Sequence, residues 1–503
     1  LGLVEEPANE QGSLKMIAPK SDVKKPRPRR AELNSSSRTK TSREDRKKDK
    51  DPSSVNQFQY KIEKLLKADE LLLPKLFDDA MIEAVLSNNS SDQKSRRQRI
   101  YTVSTTLSLF VQQVLMKDRG CKEVVLLLNK KRKDQQLREV STNTASYCDA
   151  RTRIPFALIE TLTSRTARIA TNQLADHHLW HGHRVWLVDG LVVNAPDTPE
   201  NQSRYPQSQS QKPGMGFAQI RLCAAICLAT GVVNNVQFGP VIGKTTGETT
   251  LFRKMFCKFK RGDVVIADSL YECFRDYATL VAKGVNMICS KNGSRESPFK
   301  GRCEVIEEVW KELPRPDFDK SRFTKEQWEA LPKTLKVRMI RCKVGGRKSE
   351  LCLVTTLLDS EIYPAAEILK LYKLRWECEL DIRSMKSVMG MSWLSCYTAA
   401  MLEKELMVYI LAYNIIRVTM CDAAKLGGHL PRDLSFKGAK DAWLQLGQDQ
   451  PEPQHYAWLL WAIADAPLRK RPGRNEPRKI KRRNGKYERL KLPRSQEKAA
   501  LSP

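Results

Sequence analysis

Asp263-Val-Val-Ile-Ala-Asp268 is an apolar run closed at each end by a carboxylate. It is too short for a helix, has no polar alternation and is rich in β-branched side chains, so Asp263 to Ala267 reads as a buried strand. The texture alternates on both sides of it. Gly247 to Phe259 and Tyr271 to Ala282 carry helical spacing, and Val285 to Cys289 reads as the next strand. Upstream, Arg184-Val-Trp-Leu-Val188 reads as a strand ending at Asp189, and a long Gln/Ser/Pro loop, Pro196 to Gly216, follows it. Phe217 to Leu228 then meets Val232 to Phe238 through Ala229-Thr-Gly231, a hairpin signal.

The resulting order β, β, β, α, β, α, β predicts an α/β class, and specifically a ribonuclease-H-like domain. Residues from about Lys291 to Asp359 interrupt it with charged, Pro-containing stretches and a hairpin candidate, Leu335 to Val344, Gly345-Gly346 and Ser349 to Thr356, read as a β-rich insertion. Helical periodicity resumes from Ala365 to Met420, with a smaller helical piece around Tyr456 to Ala464. Before the first strand, Gln57 to Leu174 repeats apolar residues at three- and four-residue steps, the pattern of an all-helical N-terminal domain. The expected organisation is therefore a basic tail (1–55), a helical DNA-binding domain (56–178), a catalytic domain (179–290 and 361–420), the insertion (291–360), a small helical C-terminal region (421–468) and a second basic tail (469–503).

Charge points to the partner. The 503 residues hold 87 Lys and Arg against 58 Asp and Glu, a net +29, with 41% hydrophobic residues. Residues 1–50 are net +6 and residues 469–503 net +11, so the tails hold more than half of the excess. Both are too poor in apolar residues to offset chain entropy and are expected to be disordered. A charge this large favours a polyanion, nucleic acid first, although solvation alone would also account for a basic tail. The longest nearly apolar stretch, Leu406 to Ile416, falls short of the roughly 20 residues of a membrane span, so a membrane-embedded protein is not expected. None of the 13 cysteines forms a Cys-x-x-Cys pair, which suits small buried hydrophobes in a reducing compartment. The first fifty residues have no apolar leader core, and a cytoplasmic, nucleoid-associated protein is expected.

Three acids stand out. Asp189 and Asp268 each follow an apolar strand, where a carboxylate is costly unless a cation or hydrogen bonds compensate it. Either one alone reads equally well as a turn residue capping a loop. The third is Glu379, in Leu371-Tyr-Lys-Leu-Arg-Trp-Glu-Cys-Glu-Leu-Asp-Ile-Arg-Ser-Met-Lys386. At about 100° per residue, a continuous helix puts Tyr372, Arg375, Glu379, Arg383 and Lys386 on one face and Asp381 on the opposite side. A carboxylate in a row of cations suits a metal ligand beside phosphate-binding groups, and equally a surface helix in which Glu379 pairs with Arg375 and Arg383.

Tyr372-x2-Arg375-x3-Glu379-x6-Lys386 resembles the Tyr-Arg-Glu-Lys signature of DDE transposases of the insertion sequence 4 family, with the likeness extending over roughly residues 90–420. Leu187-Val-Asp-Gly190, Asp197-Thr-Pro-Glu-Asn-Gln202, Gly243-Lys-Thr-Thr-Gly-Glu248 and Ile266-Ala-Asp268 resemble family segments. Two departures are Ser269, where relatives often have Arg, and the first 55 residues, which match no counterpart. The resemblance implies that Asp189, Asp268 and Glu379 bind two Mg2+ ions, with Mn2+ as a substitute, for in-line displacement at phosphorus. It implies that Tyr372, Arg375 and Lys386 hold DNA phosphates, and Arg383, on the same face by the angular count, is expected to join them. It also implies a homodimer that binds terminal inverted repeats, cleaves there and transfers the 3′ ends to a target. The rival readings are a catalytically inactive DNA-binding remnant and a ribonuclease-H-like nuclease that does not join strands.

Other signals read weakly. His177 and His181 have the spacing of a zinc pair, but a hydrogen-bonded loop before the first strand is the better reading. Glu248 could replace one of the three acids but reads as a helix cap. Thr144 to Pro155 suggests a short helix bearing Arg151 and Arg153, either a helix-turn-helix reader or an ordinary surface helix.

Overall fold

The computed structural model describes residues 100–468, apart from 173, 245, 294–295, 321–323, 344–349 and 447–452, together with 492, 493, 496 and 499. The expected disorder of tail 1–55, the helical pattern before residue 100, the Gly345-Gly346 turn and nearly all of the tail 469–503 lie outside the described residues. The described chain is mixed α/β around one eight-stranded sheet.

Four helices come first: α1 (Val103–Leu115), α2 (Cys121–Asp134), α3 (Ala145–Arg153) and α4 (Phe156–Asn172). Leu109, Val124, Val125, Leu128 and Tyr147 form a small apolar cluster joining α1, α2 and α3. The opposite side of α1 (Leu107, Phe110, Val111 and Val114) and the buried face of α4 (Leu158, Ile159 and Leu162) belong instead to the main core. Arg151 of α3 is turned inward, with its guanidinium against the Phe110 and Tyr147 rings and bonded to Gln113, whereas Arg153 is exposed.

The sheet begins with β1 (Val185–Ala195), followed by a short helix α5 (Pro199–Arg204), β2 (Ala218–Cys227) and β3 (Val233–Pro240). The β2–β3 turn ends at Gly231, whose φ of 76° is a left-handed value that a Cβ would oppose. Then come α6 (Glu248–Lys254), β4 (Val264–Ala267), α7 (Phe274–Ala282) and β5 (Asn286–Ser290). Both helices are shorter than expected, because 3-10 turns at Phe256–Lys258 and Ser269–Tyr271 take up the flanking residues. The order across the sheet is β3-β2-β1-β4-β5, with β1, β4 and β5 parallel and β1, β2 and β3 an antiparallel meander.

The segment 291–360 extends this sheet. It gives β6 (Glu307–Pro314), a short helix α8 (Lys325–Glu329), β7 (Thr334–Lys343) and β8 (Glu350–Thr355), and β8 bonds antiparallel to β5. The three strands thus carry the sheet outward in the order β8-β7-β6.

Helices α9 (Ala365–Lys373), α10 (Trp376–Arg383), α11 (Ala399–Gly427), α12 (Phe436–Leu446) and α13 (Pro453–Ala464) complete the described fold. With 29 residues, α11 is long and apolar enough to cross a membrane, yet its most apolar window is wholly buried. It is the central core helix, with α1, α4, α12 and α13 packed around it.

Candidate active site

The first acid does not end its strand. Asp189 is the fifth residue of β1, opposite Ala224 of β2, and β1 continues to Ala195 because its antiparallel partner runs equally far. What ends at this level is the parallel pairing with β4, whose last partners are Leu187 and Ile266. Two residues on, Asp189 and Asp268 therefore stand side by side. The Gly190 N–H donates to Asp189 Oδ1 at 2.8 Å, and Asp268 caps a 3-10 turn by accepting the Leu270 N–H at 2.8 Å.

The helix expected over 371–386 is not continuous. Between α9 and α10 the N–H groups of Leu374, Arg375, Glu377 and Cys378 each reach back three residues, so the chain tightens towards about 120° per residue instead of 100°. After α10 it loosens into a π turn, Ser384–Val388, in which Met389 N–H bonds Ser384. The one-face count made at constant pitch is therefore corrected. Anchors on both sides account for the tightening: Tyr372 is buried and hydrogen-bonded to Ser290 at the end of β5, and Asp381 is buried between Arg417 and Arg432.

The break aims Arg375 at both acids. Its Nη2 donates to Glu379 Oε1 at 2.8 Å and its Nη1 lies 3.9 Å from Asp189 Oδ2, so one guanidinium links the strand acid to the helix acid. Arg383 is exposed and Lys386 half-buried in the π turn. Tyr372 presents little surface to a ligand. Asp381 does face away from Glu379, but into the core: its carboxylate receives Arg417 and, at 2.9 Å, Arg432.

One further acid, which the sequence offers chiefly as a helix cap, stands against β1. Glu248, the first residue of α6, lies over Gly190, where a Cβ would overlap its carboxylate. It is 3.8 Å from Arg221 Nε and hydrogen-bonds the Tyr271 hydroxyl. Burial, and then the charges of Asp268 and Glu248, push the Asp189 carboxyl up to about 6 despite the Gly190 N–H and Arg375. Burial and the Asp268 charge likewise raise the Glu248 carboxyl. An acid opening a helix was visible in the sequence, but the approach to Gly190 depends on how β1, β2 and β3 register.

The histidine loop is hydrogen-bonded at the start of the parallel strands, away from the acids. His183 bonds the Gly262 carbonyl (2.6 Å) and the Tyr363 hydroxyl (2.7 Å), and His181 meets Glu367 of α9 at 2.6 Å. Among the described residues, no three His, Cys, Asp or Glu side chains converge closely enough to enclose an ion alone. The acids instead form an open, oxygen-only donor set. That suits Mg2+, which is typically held by one or two carboxylates and completes its octahedron with water and substrate phosphates.

Residues 180–415 match the family described as transposase DDE domain. A curated relative, the transposase InsG for insertion sequence element IS4 of Escherichia coli (strain K12), is 25% identical over 356 residues, covering 68% of this chain and 77% of the relative. Among solved structures, the cryo-EM structure of the piggyBac transposase synaptic complex with hairpin DNA overlays with a TM-score of 0.40 at 9% identity, over 78% of this chain and 83% of that one.

Proposed function

The chain belongs to the DDE transposases related to insertion sequence IS4, and from that premise we propose that it binds the terminal inverted repeats of its own element, cleaves the DNA there and joins the 3′ ends to a target. The observation that carries the proposal is the Arg375 guanidinium, which links Asp189 to Glu379, with Asp268 beside Asp189 where the parallel strands end. The strand order β3-β2-β1-β4-β5 supports a ribonuclease-H-like fold and with it the same reading.

Asp189, Asp268 and Glu379 would hold two Mg2+ ions, or Mn2+ in their place, which lower the pKa of the attacking water or 3′-hydroxyl and neutralise the leaving oxygen. The protein's own groups position the DNA around them. Arg375 keeps the Glu379 carboxylate turned towards Asp189 and offers its remaining N–H groups to a phosphate. Arg383 and Lys386 extend the positive edge along the backbone. Tyr372, committed through its hydroxyl to Ser290, serves by tying this helix to β5.

The helices before β1 are assigned to recognition of the ends, with exposed Lys122, Lys130 and Lys133 on α2 and Arg153 on α3 as phosphate contacts. Arg151, turned inward, is not among them. Two copies act together because two ends must be processed, at nucleoid DNA in the cytoplasm.

The cation gives a direct test. With Ca2+, which accepts looser geometry than Mg2+, end DNA is expected to bind without being cut, and cutting is expected to return with Mg2+ or Mn2+. Full cleavage in a chelator would refute the metal mechanism, and cleavage without strand transfer would leave a nuclease.

The tail gives a second prediction. Each phosphate neutralised contributes a slope of about −0.9 in log affinity against log salt on duplex DNA. Removing residues 469–503, net +11, should shallow that slope and weaken specific and random DNA by similar factors, as measured by titration at several salt concentrations. Loss of preference for the element's ends, with random binding spared, would move end recognition into the tail.

A further inference from the structure

We propose that Cys121 and Cys148 are a modification site, a dithiol that closes reversibly into a disulfide joining α2 to α3. The inference is independent of the proposed function. Cys121 opens α2 and Cys148 lies in α3, and both are partly exposed, whereas Cys223, Cys227, Cys289 and Cys378 are buried. The Cys148 thiol lies 3.7 Å from the Cys121 sulfur, close to van der Waals contact. A disulfide bond is about 2.05 Å long, which leaves about 1.7 Å to close, a distance that rotation of two partly exposed side chains covers.

The surroundings suit thiolate chemistry. Gln113 of α1 donates its Nε2 to the Cys121 sulfur at 3.5 Å, and Arg151 donates its Nη2 to the Cys148 sulfur at 3.7 Å. The guanidinium also bonds the Gln113 amide oxygen and lies against the Phe110 and Tyr147 rings, and its buried Nε has no hydrogen-bond partner among the described residues. No carboxylate figures among these contacts. An inward-turned cation with no acid beside it favours whatever anion can form there, and the two thiols can supply one. Burial pushes the Cys121 thiol up while Arg151 pulls against it, so Cys148, which receives the guanidinium, attacks first. Its thiolate attacks one sulfur of a low-molecular-weight disulfide such as oxidised glutathione and expels one thiolate. The Cys121 thiolate then attacks the Cys148 sulfur and expels the second. Two electrons pass to the small disulfide, and the two thiol protons end on the released thiols. In reducing surroundings the bridge reopens by the reverse exchange.

The test equilibrates the full chain with graded mixtures of oxidised and reduced glutathione, alkylates the remaining thiols and maps the digest by mass spectrometry. A linked Cys121–Cys148 peptide should accumulate as the oxidised fraction rises and disappear in dithiothreitol. Cys121→Ser and Cys148→Ser should each abolish it and leave the other cysteine carrying glutathione. Arg151→Gln should slow bridge formation by about tenfold, with Arg151→Lys recovering part of the rate. An unchanged rate in Arg151→Gln would overturn the part given to the guanidinium. Exposed Cys257, which should take up glutathione in the same mixtures, shows that the oxidant is competent. Full alkylation of Cys121 and Cys148 where Cys257 carries glutathione would overturn the proposal. So would a linked peptide that pairs either of them with Cys396, the buried thiol that Arg151 also feels.

Discussion

Asp268→Asn should lower cleavage of a terminal-repeat substrate by roughly a thousandfold or more in Mg2+ while leaving binding of that substrate intact. The substitution suits the question because an amide oxygen can still accept the Leu270 N–H that caps the 3-10 turn after β4, so the local fold survives. What it removes is negative charge at the end of β4, where an uncharged oxygen cannot balance a divalent cation. Asp189→Asn follows the same logic, since its Oδ1 accepts the Gly190 N–H and an amide oxygen can do so too. Glu379→Gln keeps an oxygen for Arg375 but gives up the charge. Each variant is assayed for cutting of labelled ends, with a gel-shift titration beside it. Near-normal cutting by any one of them removes that residue from the site. Equal loss of binding and cutting would mean that the acids hold the DNA-binding surface together and do not perform the chemistry.

The second large effect is on stability. Asp381→Ala should destabilise the fold by about 3–5 kcal/mol, because it leaves Arg417 and Arg432 buried with too little negative charge around them. Arg417 would retain the Tyr413 hydroxyl at 2.9 Å, and Arg432 would keep Glu377 at 3.2 Å and the carbonyls of Cys227 and Leu228. None of these replaces a carboxylate that both guanidiniums share. The urea midpoint should fall clearly for Asp381→Ala and stay unchanged for Glu361→Ala on exposed surface. Equal midpoints would make the buried triad energetically unimportant. An activity comparison that used Asp381→Ala as a neutral surface control would therefore mislead.

The sheet around β4 was legible because its strands declare themselves locally: Val264 to Ala267 is uniformly apolar, and Gly231 marks the hairpin turn. The continuation of β1 past Asp189 was not, since Gly190 breaks the apolar run and only the register with β2 keeps the strand going. Strand β6 escaped for a similar reason. Glu307-Glu-Val-Trp-Lys-Glu-Leu-Pro314 is a sheet edge with mostly exposed alternate residues and reads as a charged stretch. At the site, residue types and spacing singled out Asp189, Arg375 and Glu379, which the Arg375 guanidinium links, and Asp268, which stands beside Asp189 where β1 and β4 part. Constant helical pitch could not reveal the tight turn at Leu374–Cys378, because its anchors, Ser290 and Arg432, are distant in sequence. Glu248 was legible as the start of a helix and as a possible substitute acid, but its place over Gly190 was not.

One consequence lies in synthesis. β1 is tied to a segment far along the chain: Asn194 receives Leu394 N–H and donates to Ser392, and the α10 segment bearing Glu379 is held through Asp381 by Arg417 and Arg432. A nascent polypeptide still short of Arg432 on the ribosome has made all three acids but lacks the contacts that hold the third in place. The catalyst is therefore completed only once Arg432 has been made, and gene copies interrupted by a stop codon before that arginine should yield products unable to mobilise DNA.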